Sequence, residues 1–207
     1  KSVNDTYGHI DGDHYLVHVA DALSSLVQEN EDVFAARYGG DEFVLVYTGK
    51  TDEEICQALF NAAAVGYLIT RNATTAGAEG GCQAEVGAAS AMAASAAVEL
   101  FGGTPAQCLD AASFAIVNIL GLVCDPIGGL VENPCQNRNA MGASNALISA
   151  ELSLAGIRSI TPIDETIGVM YAVGRSIPSE LRETSLGGMA AAKSACEACA
   201  ACAKKNS

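Results

Sequence analysis

The sequence predicts a mainly α-helical chain with a small α/β part at its N-terminal end. Strand-forming residues are concentrated in one run, Phe43-Val44-Leu45-Val46-Tyr47, and nearly vanish after it. All three histidines lie at or before residue 18, whereas Ala, Gly and Ser dominate from residue 51 onward. These shifts predict a partial domain at residues 1–50, a helical domain at 51–192 and a Cys- and Ala-rich tail at 193–207.

The N-terminal part follows the order helix, turn, strand. Between Gly12 and Leu26, apolar residues recur at the spacing of one helical face. The pair Gly39-Gly40 then favours a tight turn, and the buried strand from Phe43 to Tyr47 follows it. This order indicates an α/β fragment.

The second part shows repeated helix start and stop signals. An Ala-rich apolar helix is predicted from Gly87 to Phe101, and Thr104-Pro105-Ala106-Gln107 supplies an N-cap, a proline and a capping-box glutamine for the next helix, which runs to Leu120. Thr161-Pro162-Ile163-Asp164 opens a further helix that ends near Gly174. The many small residues predict closely packed helices, so this part is expected to be all-α.

Composition limits the classes of partner. Hydrophobic residues make up 50% of the chain, which is ample for a core, and the net charge of -13 repels nucleic acid and anionic membrane surfaces. No apolar run reaches the length of a membrane span, and no signal peptide is visible. We therefore expect a cytoplasmic protein that binds neither nucleic acid nor membrane.

The eight cysteines favour thiol or metal chemistry over disulfides. Because no histidine follows residue 18, a later metal site must use Cys or carboxylate ligands, which favours an iron-sulfur cluster or a Cys-only zinc site. Cys82, Cys124 and Cys135 stand beside Gly or Pro and are predicted to lie in loops at helix ends. Cys56 and Cys108 lie in apolar helical patterns and are predicted to be core residues.

Residues 1–50 resemble the middle of a GGDEF (diguanylate cyclase) domain. The resemblance rests on Lys1-x-x-Asn4-Asp5-Thr6-Tyr7-Gly8-His9 and on Arg37-Tyr38-Gly39-Gly40-Asp41-Glu42-Phe43. It implies that Asn4 and Asp13 contact guanine, that Gly39 and Gly40 let the backbone approach a triphosphate, and that Asp41 or Glu42 serves metal binding and catalysis. The family's first strand, its metal-binding aspartate and its later elements have no counterpart here, so we expect a truncated fragment without cyclase activity.

From Asp52 to about Ala192 the chain resembles the C-terminal part of the α chain of iron-sulfur L-serine dehydratases. The segments that carry the resemblance are Asn72-Ala-Thr-Thr-Ala-Gly-Ala-Glu-Gly-Gly-Cys82-Gln-Ala-Glu-Val-Gly87, Gly121-Leu-Val-Cys124-Asp-Pro-Ile-Gly-Gly-Leu-Val-Glu-Asn-Pro-Cys135-Gln-Asn-Arg-Asn139 and Glu180-Leu-Arg-Glu-Thr184-Ser-Leu-Gly-Gly188. The resemblance implies an L-serine ammonia-lyase of amino-acid degradation and gluconeogenesis that forms pyruvate and ammonia.

The same resemblance implies a [4Fe-4S] cluster held by Cys82, Cys124 and Cys135, with one iron open as a Lewis acid. One tail cysteine (Cys196, Cys199 or Cys202) could be a fourth ligand, although a frayed helix end is the alternative. Residues 51–192 contain no lysine for a pyridoxal-phosphate Schiff base, so no such cofactor is expected. Substrate contacts are predicted in the family-like stretches, from Asn72, Thr74, Arg138, Asn139, Glu183 and Thr184.

The expected partners are L-serine and a serine dehydratase β chain or domain, and a homo-oligomer is possible. The resemblance places the catalytic base, which these residues do not identify, in segments that the chain lacks. Two alternatives stay open, namely a degenerate GGDEF module that binds a nucleotide and a chimeric fusion without function. Glu79 and Glu85, on either side of Cys82, could be bases or groups around the metal, although salt bridges are the commoner role.

Overall fold

The structure is a computed structural model that describes residues 17–18, 20–21, 23–25, 27–28, 33–39, 42–47 and 49–205. The chain divides into two compact units, Lys1–Glu54 and Ile55–Ser207. The prediction of a mainly α-helical chain is confirmed.

In the first unit, the described residues between 17 and 28 are helical, and two strands follow. Strand β1 (Val33–Gly39) pairs antiparallel with β2 (Glu42–Tyr47), and the register is irregular between Arg37 and Gly39. The predicted strand at Phe43 to Tyr47 is confirmed as β2. The sequence pattern did not single out β1, because its Ala-Ala-Arg centre is a weak strand former that is paired by its neighbour.

The regular secondary structure among the described residues of the second unit is helical, apart from an isolated bridge between Cys124 and Arg182, and loops connect the helices. Its helices, in chain order, are α1 (Asp52–Asn72), the single turn α2 (Gly77–Gly80), α3 (Cys82–Leu100), α4 (Pro105–Asn118), α5 (Cys135–Leu154), α6 (Ile163–Ser176) and α7 (Lys193–Lys205). Three 3-10 turns lie between them, at Ile127–Gly129, Ser179–Leu181 and Gly188–Ala191.

Local signals set several of these boundaries. Thr104 caps α4, since its Oγ1 accepts a hydrogen bond from Gln107 N at 3.3 Å while Thr104 N donates to Gln107 Oε1 at 2.9 Å. The predicted capping box is therefore confirmed, although α4 ends at Asn118 and not at Leu120. The helix predicted to open at Thr161-Pro162 is confirmed as α6. Helix α3 begins five residues before the predicted Gly87, at Cys82.

The core is built from small apolar side chains on α1, α3, α4, α5 and α6, as the sequence predicted. Its fully buried members include Ala91, Ala94, Ala111, Ala115 and Ile167. The approach of α3 and α5 is so close that a Cβ at Gly142 would lie 2.6 Å from Val86 Cγ1. Among the described residues, no helix combines the length and the apolar character needed to cross a membrane.

A polar network crosses this core where α3, α4 and α5 meet. Asn145 donates hydrogen bonds to Ser90 Oγ at 2.9 Å and to the Ala115 carbonyl at 2.8 Å, and it accepts one from Asn118 at 2.7 Å. Ser90 in turn donates to the Gly142 carbonyl at 2.8 Å. These bonds fix the rotation of α5 about its own axis, and α5 carries Cys135 and Arg138.

Candidate metal centre

Two of the three cysteines proposed as ligands stand at the first residue of a helix. Cys82 opens α3 after Gly81, and Cys135 opens α5 after Pro134, whereas Cys124 lies in the loop that follows α4. The prediction of a loop is therefore wrong for Cys82 and Cys135. The difference matters because the free N–H groups at a helix N-terminus favour negative charge.

The start of α3 is fixed by the buried side chain of Gln83. Gln83 N donates to the Leu122 carbonyl at 2.9 Å, and its Oε1 accepts from Gly121 N at 2.8 Å. Its amide nitrogen donates to the Met170 carbonyl of α6 at 2.8 Å. These bonds join Cys82 to the segment that leads to Cys124 and to α6.

A two-rung backbone ladder holds Cys124. Cys124 N donates to the Leu181 carbonyl at 2.9 Å, and Glu183 N donates to the Cys124 carbonyl at 2.7 Å. Glu183 has a φ of 65°, a left-handed conformation that is uncommon for a residue with a side chain. The chain after α6 thus forms one wall around Cys124.

The thiols of Cys82 and Cys124 and the carboxylate of Glu85 form a compact group. One ligand atom from each lies within 4.8 Å of the other two. The two cysteines are 3% and 4% exposed, whereas Glu85 is exposed. A Cβ at Gly77 would lie 3.1 Å from Cys124 Sγ and 3.3 Å from a Glu85 carboxylate oxygen, so glycine leaves room for this group.

Cys135 is half-buried and lies near this group without belonging to it. Burial raises the pKa of the Cys135 thiol, the charge of Cys82 raises it further, and the Arg138 guanidinium acts in the opposite direction. The charge of Cys82 acts on Cys124 as well. Cys82 is therefore the electrostatic link among the three thiols.

The charge balance of the centre fits a bound cationic or iron-sulfur group. Burial raises the pKa of Cys124 strongly, and the neighbouring Cys82, Glu183 and Glu85 raise it further. Thiols that repel each other's charge become stable as thiolates when a metal supplies the compensating positive charge. Arg182, which forms the bridge to Cys124, also keeps a buried Nε that has no hydrogen-bond partner among the described residues.

Arg138 is a basic residue in contact with the Cys82 thiol. Its Nη1 donates to Asp125 Oδ1 at 2.6 Å and to the Val123 carbonyl at 2.8 Å, and it lies 3.9 Å from Cys82 Sγ. Burial lowers the pKa of Arg138, but the bonds to Asp125 and Cys82 outweigh it, so the pKa lies above its usual value. The sequence analysis did not single out Asp125, although its position directly after Cys124 was a visible signal.

Comparison with known proteins identifies the family. The pattern of the family described as serine dehydratase alpha chain matches residues 43–190. The chain belongs to this family. The predicted resemblance from Asp52 to about Ala192 is thereby confirmed, and the match begins earlier, within β2.

Individual relatives in the serine dehydratase alpha chain family give the same result. The chain is 56% identical over 141 residues to the probable L-serine dehydratase, alpha chain, of Bacillus subtilis, covering 68% of this chain and 47% of the relative. It is 60% identical over 129 residues to the L-serine dehydratase, alpha chain, of Peptoniphilus asaccharolyticus, covering 62% of this chain and 44% of the relative. The L-serine dehydratase TdcG of Escherichia coli is 41% identical over 155 residues, covering 71% of this chain and 34% of the relative. The chain thus spans about half the length of the first two of these proteins.

The six residues predicted to contact substrate lie in three kinds of position. Thr74, Arg138 and Glu183 lie on segments that adjoin the cysteines, and Thr74 Cγ2 would be 3.1 Å from a Cβ at Gly80. Asn72 and Thr184 bond backbone carbonyls nearby in the chain, those of Leu68 and of Ser179 and Glu180. Asn139 is exposed. Their roles in substrate binding stay predictions.

The two glutamates beside Cys82 are placed differently. The Glu79 carbonyl accepts a hydrogen bond from Arg182 at 3.2 Å, whereas the Glu85 carboxylate reaches the thiols. Among the described residues neither side chain forms a salt bridge, which was their commoner expected role.

The two cysteines predicted to be core residues differ. Cys108 is 1% exposed and lies in the core, so this prediction is confirmed. Cys56 is exposed, so this prediction is wrong. The apolar pattern around Cys56 stays uncovered within the second unit, since Leu59 and Phe60 of α1 are exposed as well.

In the tail, residues 193–205 form the helix α7. Cys199 packs against the turn that follows Asp125, since a Cβ at Gly128 would lie 2.8 Å from its Sγ. Cys196 is exposed, and its thiol donates to the Ala190 carbonyl at 3.5 Å. The side chain of Cys202 lies outside the described residues. A tail cysteine as fourth ligand stays a prediction.

The predicted nucleotide site lies largely outside the described residues. This holds for Asn4, Asp13, Gly40 and Asp41, whereas Gly39 ends β1 and Glu42 begins β2. The resemblance to a GGDEF domain stays a prediction. The alternative function as a nucleotide-binding module gains no support from the relatives, which carry the names of serine dehydratases.

Proposed function

We propose that this chain is the cluster-binding part of an L-serine ammonia-lyase, which converts L-serine to pyruvate and ammonia. The observation that carries the proposal is the meeting of two buried thiols, Cys82 and Cys124, with a third thiol, Cys135, close by. This meeting occurs in a chain of the serine dehydratase alpha chain family. One relative is named "L-serine dehydratase, alpha chain", and another is named "Probable L-serine dehydratase, alpha chain".

Cys82, Cys124 and Cys135 would hold a [4Fe-4S] cluster. When bound, the cluster supplies a Lewis-acidic iron that polarises the β-hydroxyl of serine. The residues around it suit this group, because the Arg138 guanidinium beside Cys82 offsets the negative charge of the thiolates.

The overall reaction removes a proton from Cα and hydroxide from Cβ of serine. The resulting aminoacrylate tautomerises to an imine, and water hydrolyses the imine to pyruvate and ammonia. In this chain, Glu85 and Glu183 present carboxylates beside the thiols, and both residues are exposed. The carboxylates of Glu85 and Glu183 suit the ammonium group of serine. Binding of the ammonium group there would orient the serine hydroxyl toward the cysteines.

A β chain is the proposed partner, since relatives are named alpha chains. The exposed apolar residues of α1, which include Leu59, Phe60 and Tyr67, are suitable for burial against further protein. A homo-oligomer and a cytoplasmic location stay predictions.

Metal reconstitution tests the proposal. Anaerobic incubation of the full chain with ferrous iron and sulfide is expected to yield an oxygen-labile chromophore with bound iron and sulfide. Single Cys82→Ser, Cys124→Ser and Cys135→Ser changes should each lower the iron content sharply. The matched controls are Cys108→Ser, a buried cysteine of the core, and Cys56→Ser, an exposed cysteine, and both should retain iron.

Two results would contradict the cluster. One is tight binding of zinc with refusal of iron, and the other is equal iron loss in the control variants. Activity is tested separately, because pyruvate formation from L-serine is expected to need a β chain and the parts of the relatives' α chains that this chain does not span. The chain by itself should form little or no pyruvate.

A further inference from the structure

Asp125 is a buried carboxylate that joins three segments of the chain. Asp125 is 2% exposed, and each of its carboxylate oxygens accepts a hydrogen bond. Oδ1 accepts from Arg138 Nη1 at 2.6 Å, and Oδ2 accepts from Met189 N at 2.6 Å. A carboxylate this deeply buried is stable only because it is both paired and hydrogen-bonded. Asp125 therefore fixes the position of Arg138 on α5 relative to the loop that carries Cys124.

The nitrogen that Asp125 holds is the same nitrogen that approaches a thiol. Arg138 Nη1 lies 3.9 Å from Cys82 Sγ while it bonds Asp125 and the Val123 carbonyl. The Arg138 side chain is only 15% exposed. This nitrogen is committed to protein acceptors, so the contact with Cys82 does not depend on a substrate.

We propose that Asp125 and Arg138 form a positioning pair, which holds a guanidinium N–H against the Cys82 sulfur and tunes the metal bound there. The sequence had suggested Arg138 as a group for the substrate carboxylate, whereas this contact directs its Nη1 at the metal ligand. The inference rests on the proposed function for the identity of the metal group. The contact between Arg138 Nη1 and the Cys82 sulfur does not depend on the proposed function.

Two physical effects follow from an N–H donor and a positive charge beside a ligand thiolate. The donor and charge stabilise the thiolate, so the metal is released more slowly. They also stabilise the more negative, reduced form of an iron-sulfur cluster, so the reduction potential rises. A residue that only filled space would change neither the rate of metal release nor the reduction potential.

The experiment uses the full chain reconstituted anaerobically with iron and sulfide. Arg138→Met removes the donor and the charge while it retains much of the side-chain volume. We expect a lower reduction potential and an iron release to a chelator that is about 10-fold faster or more, the usual effect of removing a partner of a metal ligand. Asp125→Asn should also speed iron release, because it loosens the hold on Arg138.

The chain offers a matched control in a second arginine paired with a largely buried aspartate. Arg158 Nε contacts Asp110 Oδ2 at 2.5 Å, and the hydrogen bonds of this pair involve none of the three cysteines. Arg158→Met should therefore leave the potential and the iron release at their wild-type values. The inference is overturned if Arg138→Met behaves like wild type or if Arg158→Met changes both quantities equally.

Failure of the inference can be told from failure of the proposed function. If the chain refuses iron but binds cobalt(II), the dehydratase proposal fails, and Arg138→Met must still speed cobalt release for the inference to survive. If no metal binds, both are overturned.

Circular dichroism verifies that each variant folds. If Arg138→Met does not fold, Arg138→Gln replaces it, because glutamine keeps a polar N–H donor without the charge. It should lower the potential in the same direction.

Discussion

The helical core and the candidate metal centre of the same unit are built on opposite principles. The core joins α3, α4 and α5 through alanines and one uncharged polar network around Asn145. The centre combines buried thiols, the buried ion pair of Asp125 with Arg138, and left-handed backbone at Glu183. The core gains stability from burial, whereas the centre holds charge and strain that the core must support. The two regions should therefore respond differently to substitution.

The largest effect is expected at Gly81, which positions Cys82. Its φ of 76° and ψ of 175° belong to a region that is essentially limited to glycine, and an added Cβ would lie 2.7 Å from the Leu122 carbonyl oxygen. We expect Gly81→Ala to lower the free energy of unfolding by about 3–5 kcal/mol through strain and overpacking, and to abolish metal binding. Urea unfolding and iron content measure the two effects.

Gly121→Ala is the matched control for Gly81. Gly121 also has a positive φ, 87°, but a Cβ there would meet nothing within 4 Å. Its cost should be the backbone strain of about 1–2 kcal/mol, with iron retained. Equal effects of the two substitutions would mean that packing around Gly81 does not control the centre.

The second prediction addresses the core without touching the thiols. Asn145→Ala removes the donor to the buried Ala115 carbonyl and the donor to the Ser90 hydroxyl, which keeps its bond to Gly142. We expect a loss of about 2–4 kcal/mol in unfolding free energy. If Asn145→Ala folds, it should retain its iron. Loss of iron at full folding would show that the rotation of α5 controls the centre directly.

The third prediction compares two cysteines outside the centre by their thiol reactivity. Burial raises the pKa of Cys108, and the nearby Glu99 raises it further, whereas Cys56 is exposed. A thiol reagent followed by peptide mass spectrometry should label Cys56 quickly and Cys108 only as fast as the protein opens. Fast labelling of Cys108 under native conditions would contradict the packing of α4 against α3.

The smallest effect is expected at the start of α1. Thr51 N and Oγ1 donate to the Glu54 carboxylate at 2.8 and 3.0 Å, and Glu54 N donates back to Thr51 Oγ1 at 3.2 Å. Thr51→Ala should cost about 1 kcal/mol without changing the iron content. Unfolding measured in urea, with iron assayed in parallel, tests both statements.

The same capping contact predicts a weak pH dependence. The bonds from the Thr51 backbone and hydroxyl, with Lys50, lower the pKa of Glu54. A lowered pKa in the folded state means that the contribution is present above the ordinary glutamate value of 4.5 and is lost as the pH falls through the folded pKa. Wild type should therefore be slightly more stable than Glu54→Gln at neutral pH, and the difference should vanish in acid. Because Glu54 is exposed, added salt should weaken the effect.

The sequence predicted the features that depend on residues close together in the chain. The capping box at Thr104 and the start of α6 at Thr161-Pro162 are local signals, and the structure contains both. Helix α5 carries Asn, Gly and Ser on its buried face, including Asn145 and Ser149, so its apolar pattern is weak and did not predict a helix. Tertiary hydrogen bonds to α3 and α4 take the place of that pattern.

Of the three cysteines that the sequence analysis singled out, the structure brings Cys82 and Cys124 into one group, and the sequence did not predict how they are held. The resemblance singled out Cys82, Cys124 and Cys135, whereas the pairing of Asp125 with Arg138 and Met189 depends on contacts between distant segments. Exposure of Cys56 was equally beyond a local pattern, because an apolar stripe indicates a face to be covered and not whether the chain covers it.

The contacts around the candidate metal centre join residues that are far apart in the sequence. This separation affects the order in which the protein folds. Asp125 meets Met189 across 64 residues, and Gln83 meets the Met170 carbonyl across 87 residues. Contacts of such high sequence separation form late, because chain entropy must be lost before they are gained. The helices therefore form while the thiols are still open to solvent and oxygen. Exclusion of oxidants matters most during refolding, before Asp125 closes the wall around Cys124.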